Sequence, residues 1–381
     1  MKQQTNSKKI LFLFSDTGGG HRSAAEAIIE AIQIEFGNSL HCKMVDIFKD
    51  YAPPPLQKMP ELYPKLVRIP QVWGMGFNVS DRRFTVNAIA KAAWPYVRSS
   101  FRRIASDHPS DLIVSVHPLA NAPMLNALKK KRTPFITVVT DLVSTHAAWY
   151  DKRADLCLVP TESARERAIK SKIDPDKIIV VGLPVADRFC QPIQDSPEKL
   201  REELGWPKDR IAVILVGGGE GMGPLGKTAQ AIAEARLPIT LIIIAGRNRR
   251  LKESLEKQVG QWPIPVFVYG FVHEMPKFMQ AAGVLITKAG PGTISEALNA
   301  GLPIIMYSYL PGQETGNVSY VISQGAGVWA PQTDQIIHTL RKWIEFPEQY
   351  QQRVKACHKA ARPDAARRIA KIIANTVGIE N

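Results

Sequence analysis

VLITKAGPGTISEAL, residues 284–298, decides the fold class. A short β-branched run ends at Thr287-Lys288, Gly290 and Gly292 flank Pro291, and a helix-forming segment follows with Thr293 and Ser295 near its start. Strand, glycine turn and helix make the repeating unit of a parallel α/β sheet. Glycines let a ligand approach the backbone closely, and N–H groups at a helix start attract anions. Gly290, Gly292 and Thr293 are therefore candidate phosphate contacts, with a diphosphate as the expected occupant. Lys288 is a cation for the charge of a leaving diphosphate. Glu296, one turn into the helix, can reach a ribose held beside it, the alternative being an ordinary first-turn glutamate favoured by the helix dipole.

The same unit recurs on both sides. Strands are expected at 211–216, 239–245, 266–269, 284–286 and 304–307, each ending in glycine or a polar residue, where open α/β sheets bind ligands. GGGEGMG (217–223) reads as a flexible loop that closes over donor or product, with Gly219 as a contact. Arg247, in Gly246-Arg247-Asn248, is a second cation for the leaving group. Gly270 and Phe271 could hold a base by backbone hydrogen bonds and stacking, with a core role for Phe271 as the alternative. In PGQETGN (311–317), Gln313, Glu314 and Asn317 match the alternating donors and acceptors of a hexose. A capped helix start at Thr315 or Asn317 is the plainer reading.

An earlier series has strands at 9–15, 42–46, 112–115, 135–139 and 156–159, with a helix at 23–36 whose Ala24, Ala27, Ile28, Ala31 and Ile32 recur at helical spacing. Residues 182–197 are rich in breakers and separate the two series. With 381 residues the chain exceeds the roughly 250–300 that one core serves. The expectation is α/β, with two Rossmann-like doubly wound domains, 1–185 and 186–350, facing across a cleft that gathers the ligand loops of both. Helices are expected at 335–346 and 351–373.

SDTGGGH (15–21) leads from a strand into a helix, offering Gly19 and Gly20 as backbone contacts. It is not GxGxxG, so dinucleotide binding is weakly supported. His21 at the helix start feels the positive end of the dipole, which lowers its pKa and leaves a neutral imidazole able to take a proton from an alcohol. A capping or phosphate-contacting histidine is the alternative. Asp141 could orient His21 or stabilise its protonated form, or serve only as a turn residue. His146 and Trp149 could line an acceptor site, packing being the alternative for Trp149. His117 reads as structural.

Other chemistries find little support. The four cysteines lie far apart with no CxxC, against a zinc or redox site and in keeping with a reduced cytoplasm. No HxxxH, DxD or acidic pair occupies the loop positions, so no metal is required. The apolar runs are too short for a signal peptide or a spanning helix.

Taken together, SDTGGGHRSA (15–24), VTD (139–141), VGLP (181–184), GGGEGMGP (217–224), TKAGPGT (287–293) and PGQETGN (311–317) resemble the MurG-like family 28 glycosyltransferases of GT-B fold. Within them the likeness is to the monogalactosyldiacylglycerol synthases and related bacterial diacylglycerol glucosyltransferases, and it spans nearly the whole chain. The resemblance implies inverting transfer from UDP-galactose or UDP-glucose to diacylglycerol, without a cofactor or bound metal. His21 would be the base, Gly290 to Thr293 the diphosphate loop, Glu296 the ribose contact, and Gln313, Glu314 and Asn317 the sugar contacts. It also implies that the end of the chain, 351–381, packs back on the first domain. The absence of a transit peptide suggests a bacterial source.

The net charge of +14 is concentrated. Residues 58–103 hold nine basic residues (Lys58, Lys65, Arg68, Arg82, Arg83, Lys91, Arg98, Arg102, Arg103) against Glu61 and Asp81, interleaved with Trp73, Met75, Phe77, Phe84, Trp94 and Tyr96. Apolar side chains in the headgroup layer with Lys and Arg on anionic lipid describe a monotopic protein at the cytoplasmic face of a membrane. A solvated basic face is the alternative. Nucleic acid is disfavoured because no recognised binding fold is visible. Three further readings stay open: a UDP-sugar 2-epimerase, which has no acceptor and no use for such a face, a MurG-like transferase with another lipid-linked acceptor, and a non-catalytic sensor.

Overall fold

The computed structural model describes residues 7–17, 19–67, 69–128, 133–191, 194–219, 221 and 223–379. Gly18, Arg68, Glu220 and Met222, named above in motifs or in the basic stretch, lie outside the described residues, as does the side chain of Lys65.

The chain forms two compact units, one from 1–187, 310–316 and 364–381, the other from 188–309 and 317–363. The first runs β1 (Lys8–Phe14), α1 (Gly20–Phe36), β2 (Leu40–Asp46), α2 (Met59–Leu66), α3 (Pro70–Ser80), α4 (Arg83–Asp107), β3 (Leu112–Ser115), α5 (Pro118–Ala127), β4 (Phe135–Val138), β5 (Leu156–Val159), α6 (Glu162–Lys170) and β6 (Ile178–Val180). All its strands are parallel, in the order β2-β1-β3-β4-β5-β6.

Successive residues of β1 serve opposite faces of this sheet, as the period of two requires. Ile10, Phe12 and Phe14 join Ala25, Ile28 and Ile32 of α1 on one side. Leu11 and Leu13 join Phe101, Ile104 and Met124 on the other. A strand covered on both faces is apolar throughout, which is why β1 reads as an unbroken hydrophobic run.

The second unit runs α7 (Pro197–Glu203), β7 (Ile211–Val216), α8 (Leu225–Glu234), β8 (Ile239–Ile244), α9 (Arg249–Glu256), β9 (Val266–Tyr269), α10 (Met275–Ala281), β10 (Val284–Lys288), α11 (Pro291–Asn299), β11 (Ile304–Ser308), α12 (Thr315–Ser323), β12 (Gly327–Trp329), α13 (Thr333–Glu345) and α14 (Pro347–Ala360). Its parallel order is β12-β11-β10-β7-β8-β9, so the carboxyl ends of β10, β7, β8 and β9 stand side by side. The last helix, α15 (Ala365–Thr376), belongs to the first unit. Its Ile369, Ala370 and Ile373 pack in the same cluster as Ile28 and Ile32, and Arg367 pairs with Asp187 at 2.9 Å.

Several expectations need correction. The single helix at 351–373 is two, because Pro363 lacks an N–H and disfavours helical backbone in the residue before it. Only 364–381, and not the whole of 351–381, joins the first unit, and 310–316, expected within the second domain of 186–350, joins it as well. The strands β6 and β12 were not anticipated. Each has three residues at a sheet edge, too few for a periodic signal.

Candidate functional site

In the first unit, α1 begins at Gly20, earlier than expected, with Gly19 in the left-handed region (φ 79°) as its cap. His21 therefore lies in the first turn. The loop before it is pinned: Asp46 accepts from the Asp16 N–H at 3.0 Å, Asp16 pairs with Arg22, and Thr17 Oγ1 lies 3.2 Å from His117 Nε2. His117 Nδ1 accepts from the Leu119 N–H and caps α5, so its proton sits on Nε2 and Thr17 is the acceptor. His117 thus has the structural role expected of it.

The His21 ring meets His117 edge-on at 4.6 Å, and its Nδ1 lies 2.8 Å from Thr140 Oγ1. Burial pushes the imidazole down to about 4, against a hydrogen bond to the Val116 carbonyl that favours the protonated ring. The depression was expected, but burial leads it rather than the helix dipole.

Asp141 does not hold His21 as anticipated. Its Oδ2 accepts from Trp149 Nε1 at 2.7 Å and its Oδ1 from Gln313 Nε2 at 3.1 Å, while the preceding residue, Thr140, supplies the contact to His21. Burial raises the Asp141 carboxyl to about 6, with Trp149 and Gln313 opposing. Trp149 is fully buried, as the packing reading had it, with its ring 6.0 Å from that of His21. His146 caps the turn 147–149 through Nδ1, and its Nε2 faces Ser80 Oγ at 3.1 Å.

The segment Leu310–Gly316 packs within this same unit. Gly316 N–H donates to Ser144 Oγ at 2.8 Å, and a Cβ on Gly312 would stand 2.6 Å from the Phe77 ring. Glu314 is buried, its Oε2 accepting from the Leu310 N–H at 2.8 Å. The three expected hexose contacts are thus divided: Gln313 and Glu314 go with the first unit, and Asn317 with the second. Asn317 Nδ2 donates to the Ala289 carbonyl at 2.9 Å, bracing the turn into α11. Gln313 Oε1 and Asn317 Oδ1 are buried acceptors without a hydrogen-bond partner, which leaves each able to accept a hydrogen bond from a hydroxyl.

In the second unit, Gly290 caps α11 with extended backbone, Pro291 occupies the first helical position, and the Ile294 N–H returns to the Gly290 carbonyl at 3.1 Å. The N–H groups of Gly292 and Thr293 fall in the first turn, where no intrahelical acceptor exists. Space around a Cβ on Gly292 is open. Burial raises the Glu296 carboxyl to about 7, with Arg188 opposing. Arg247 lies over the Phe271 ring at 4.7 Å, and Phe271 is 47% exposed, which rules out its core reading.

Next to these, Gly218 and Gly219 approach so closely that a Cβ would stand 3.2 Å from Lys288 Cε and 3.4 Å from Arg247 Nη1, respectively. Close backbone approach together with a positive φ thus requires glycine at Gly218 and Gly221. Gly221 has φ +59° and its Cβ would stand 2.2 Å from the Ala245 carbonyl oxygen, while Gly246, also at φ +59°, would meet the Gly219 carbonyl oxygen at 2.3 Å. Gly246→Ala combines left-handed strain with displaced backbone, and is expected to cost at least ~2 kcal/mol. Urea denaturation reads this, and an unchanged midpoint would mean that the two loops are not so closely apposed.

Both parts of the chain match known proteins. A family model described as monogalactosyldiacylglycerol (MGDG) synthase matches residues 21–185, and one for the glycosyltransferase family 28 C-terminal domain matches 212–369. The chain is 39% identical over 350 residues to the probable monogalactosyldiacylglycerol synthase 2, chloroplastic, of Oryza sativa subsp. japonica, covering 89% of this chain and 74% of the relative. The chain belongs to the monogalactosyldiacylglycerol synthase family. It is a glycosyltransferase with two parallel-sheet Rossmann-like domains of GT-B type.

Two solved structures support the fold alone. The S. aureus MnaA-UDP co-structure aligns with a TM-score of 0.63 at 15% identity, covering 98% of each chain. Acinetobacter baumannii MurG aligns at 0.61 and 14%, covering 97% of this chain and 99% of its own. The rice relative is a plant chloroplast protein, so the expectation of a bacterial source gains no support from it. Among the described residues, no helix is long and apolar enough to cross a membrane.

Proposed function

We propose that this chain moves galactose or glucose from a UDP-hexose to the 3-hydroxyl of 1,2-diacylglycerol, inverting the anomeric carbon. His21 takes the alcohol proton as the alcohol oxygen bonds to C1, the bond from C1 to the diphosphate breaks, and UDP leaves. Its charge is met by the N–H groups of Gly292 and Thr293, by Lys288 and Arg247, and by the dipole of α11. Gly270 and Phe271 take the base, Glu296 the ribose, and Gln313, Glu314 and Asn317 the hexose. Gly19, Gly20 and Gly219 give backbone close approach.

The observation that carries this reading is a histidine kept neutral by burial at the start of α1, in a chain of this family. Incubating the purified protein with diacylglycerol liposomes and each UDP-hexose separately, then determining product mass and anomeric configuration, is the test. A β-linked glycolipid from one of the donors is expected. Donor epimerised at C2 with no lipid product would favour the epimerase reading instead. The reading needs no divalent cation, so turnover is expected to survive EDTA.

We also propose that α3 and α4 dock peripherally on anionic lipid. Val72, Met75 and Val79 share an exposed face of α3 at helical spacing, Phe84 at the start of α4 is 85% exposed, and Arg82, just before α4, and Arg83, Lys91, Arg98 and Arg102 along it are exposed. Each basic residue near such a surface contributes about 1 kcal/mol, so a handful suffices for reversible binding. The double variant Met75→Glu, Val79→Glu is expected to cosediment several-fold less with anionic vesicles at unchanged Tm. Equal cosedimentation would move the docking face elsewhere.

A further inference from the structure

Gln313 and Glu314, the hexose contacts that belong to the first unit, lie in the turn 311–314 ahead of α12, and a turn can orient a sugar only where its backbone is held. We propose that Gly74 of α3 is a positioning residue for them: having no side chain, it lets α3 seat Pro311 and Gly312, and so fixes where Gln313 and Glu314 meet the hexose. The inference rests on the reading of those two residues as hexose contacts.

Gly74 is buried, and a Cβ there would stand 2.7 Å from Pro311 Cβ, which belongs to a closed ring that cannot swing aside. One turn on, the Phe77 ring makes the next contact: a Cβ on Gly312 would meet it at 2.6 Å, and Gly312 has φ +82°, where a side chain is strained as well. Phe77 is itself held by the His146 ring, edge-on at 4.9 Å. The carboxyl end of α3 is fixed through Asp81, which pairs with Arg167 at 2.7 Å and accepts from the Ala147 N–H at 2.7 Å. Beyond the turn, the Gly316 N–H is tied to Ser144 Oγ, and a Cβ on Gly316 would stand 2.7 Å from Val143 Cγ1. Gln313 and Glu314 thus lie between two close contacts, one on α3 and one on residues 143–144.

Within that span Gln313 Nε2 donates to Asp141 Oδ1 and Glu314 Oε2 accepts from the Leu310 N–H, which leaves Gln313 Oε1 for a ligand. These directions follow the backbone of 311–314. Bringing a Cβ on residue 74 from 2.7 Å to an ordinary carbon–carbon contact of about 3.5 Å displaces Pro311 or α3 by roughly 0.8 Å, and misplacement on that scale can cost about a hundredfold in rate. Gly76 has no atom within 4 Å of its Cβ position, so α3 needs glycine for steric reasons at 74 and not at 76. Gly74, Phe77 and Asp81 recur at i, i+3 and i+7, on a side of the helix about 200° from Val72, Met75 and Val79. A change at 74 therefore leaves the exposed apolar face of α3 as it is.

The experiment compares the full-length protein with Gly74→Ala, Gly76→Ala and Phe77→Leu, using diacylglycerol liposomes and both UDP-hexoses. Gly74→Ala is expected to lower kcat/KM for the preferred UDP-hexose on the order of tenfold to a hundredfold and to narrow its preference over the C4 epimer, while the Kd for UDP, which has no hexose to place, stays within about twofold. Gly76→Ala should match the unsubstituted protein in all three. Phe77→Leu, which trims the ring that Gly312 rests on, should show the same split more weakly, and it decides the matter if Gly74→Ala fails to fold. An unchanged kcat/KM and preference, a UDP Kd that rises in parallel, or an equal loss in Gly76→Ala would each overturn the assignment. Undiminished hexose preference in Gln313→Ala would instead remove the hexose contact on which it rests, so the two failures are distinguishable.

Discussion

Replacing His21 by Ala is expected to cut kcat for sugar transfer by roughly 10²–10⁴-fold, the usual contribution of a positioned general base. UDP affinity measured by calorimetry should stay within about twofold, because the diphosphate contacts proposed above lie in the other compact unit. The His21 ring packs against His117 and near Trp149, so the variant also opens a small void. His21→Gln, which fills more of the space, guards against reading a folding defect as lost chemistry. Unchanged turnover in both variants would remove the base assignment.

The pH profile of kcat/KM tests the same residue. A base is active when unprotonated, and burial holds this ring neutral down to about 4, so the loss due to His21 should begin only as pH falls toward that value and not near the ordinary 6.5. Asp141 and Glu296 titrate higher, at about 6 and about 7. An inflection in that range belongs to one of them, and should vanish in Asp141→Asn or Glu296→Gln. An inflection near 6.5 that persists in both variants would place the imidazole in water rather than among His117, Trp149 and Thr140.

Sequence periodicity exposed the central strands because both faces of each are covered, which writes an uninterrupted apolar run into the chain. Edge strands of three residues, Ile178–Val180 and Gly327–Trp329, carry no such run. The glycine loops stood out because close backbone approach admits little else, as the contacts a Cβ would make at Gly221 and Gly246 show. Adjacent residues defeated the choice between Thr140 and Asp141. Their side chains take different partners, Thr140 meeting His21 and Asp141 meeting Trp149 and Gln313, so spacing finds the pair and cannot say which member meets His21. The loop at 310–316 misled for a different reason. It follows β11 directly, and only the packing of Gly312 on Phe77 and of Gly316 beside Ser144 assigns it to the first unit.

Gly292→Val is expected to raise donor KM and the Kd for UDP by roughly thirtyfold to a hundredfold while leaving the fold intact, on the order of 2–3 kcal/mol of lost binding. An added Cβ at Gly292 meets no atom within 4 Å, and the residue sits in the first turn of α11 with no positive φ, so neither clash nor backbone strain accompanies the change. Helix propensity favours valine over glycine by a few tenths of a kcal/mol, and Tm should hold or rise slightly. Any large loss must then come from what approaches the helix start. A branched side chain there covers the N–H groups of Gly292 and Thr293, keeping a diphosphate out of hydrogen-bond distance and weakening its interaction with the dipole. Gly292→Ala should give a smaller effect in the same direction. If Gly292→Val binds UDP as tightly as the unsubstituted chain, the diphosphate lies elsewhere, and the roles proposed for Lys288 and Glu296 fall with it.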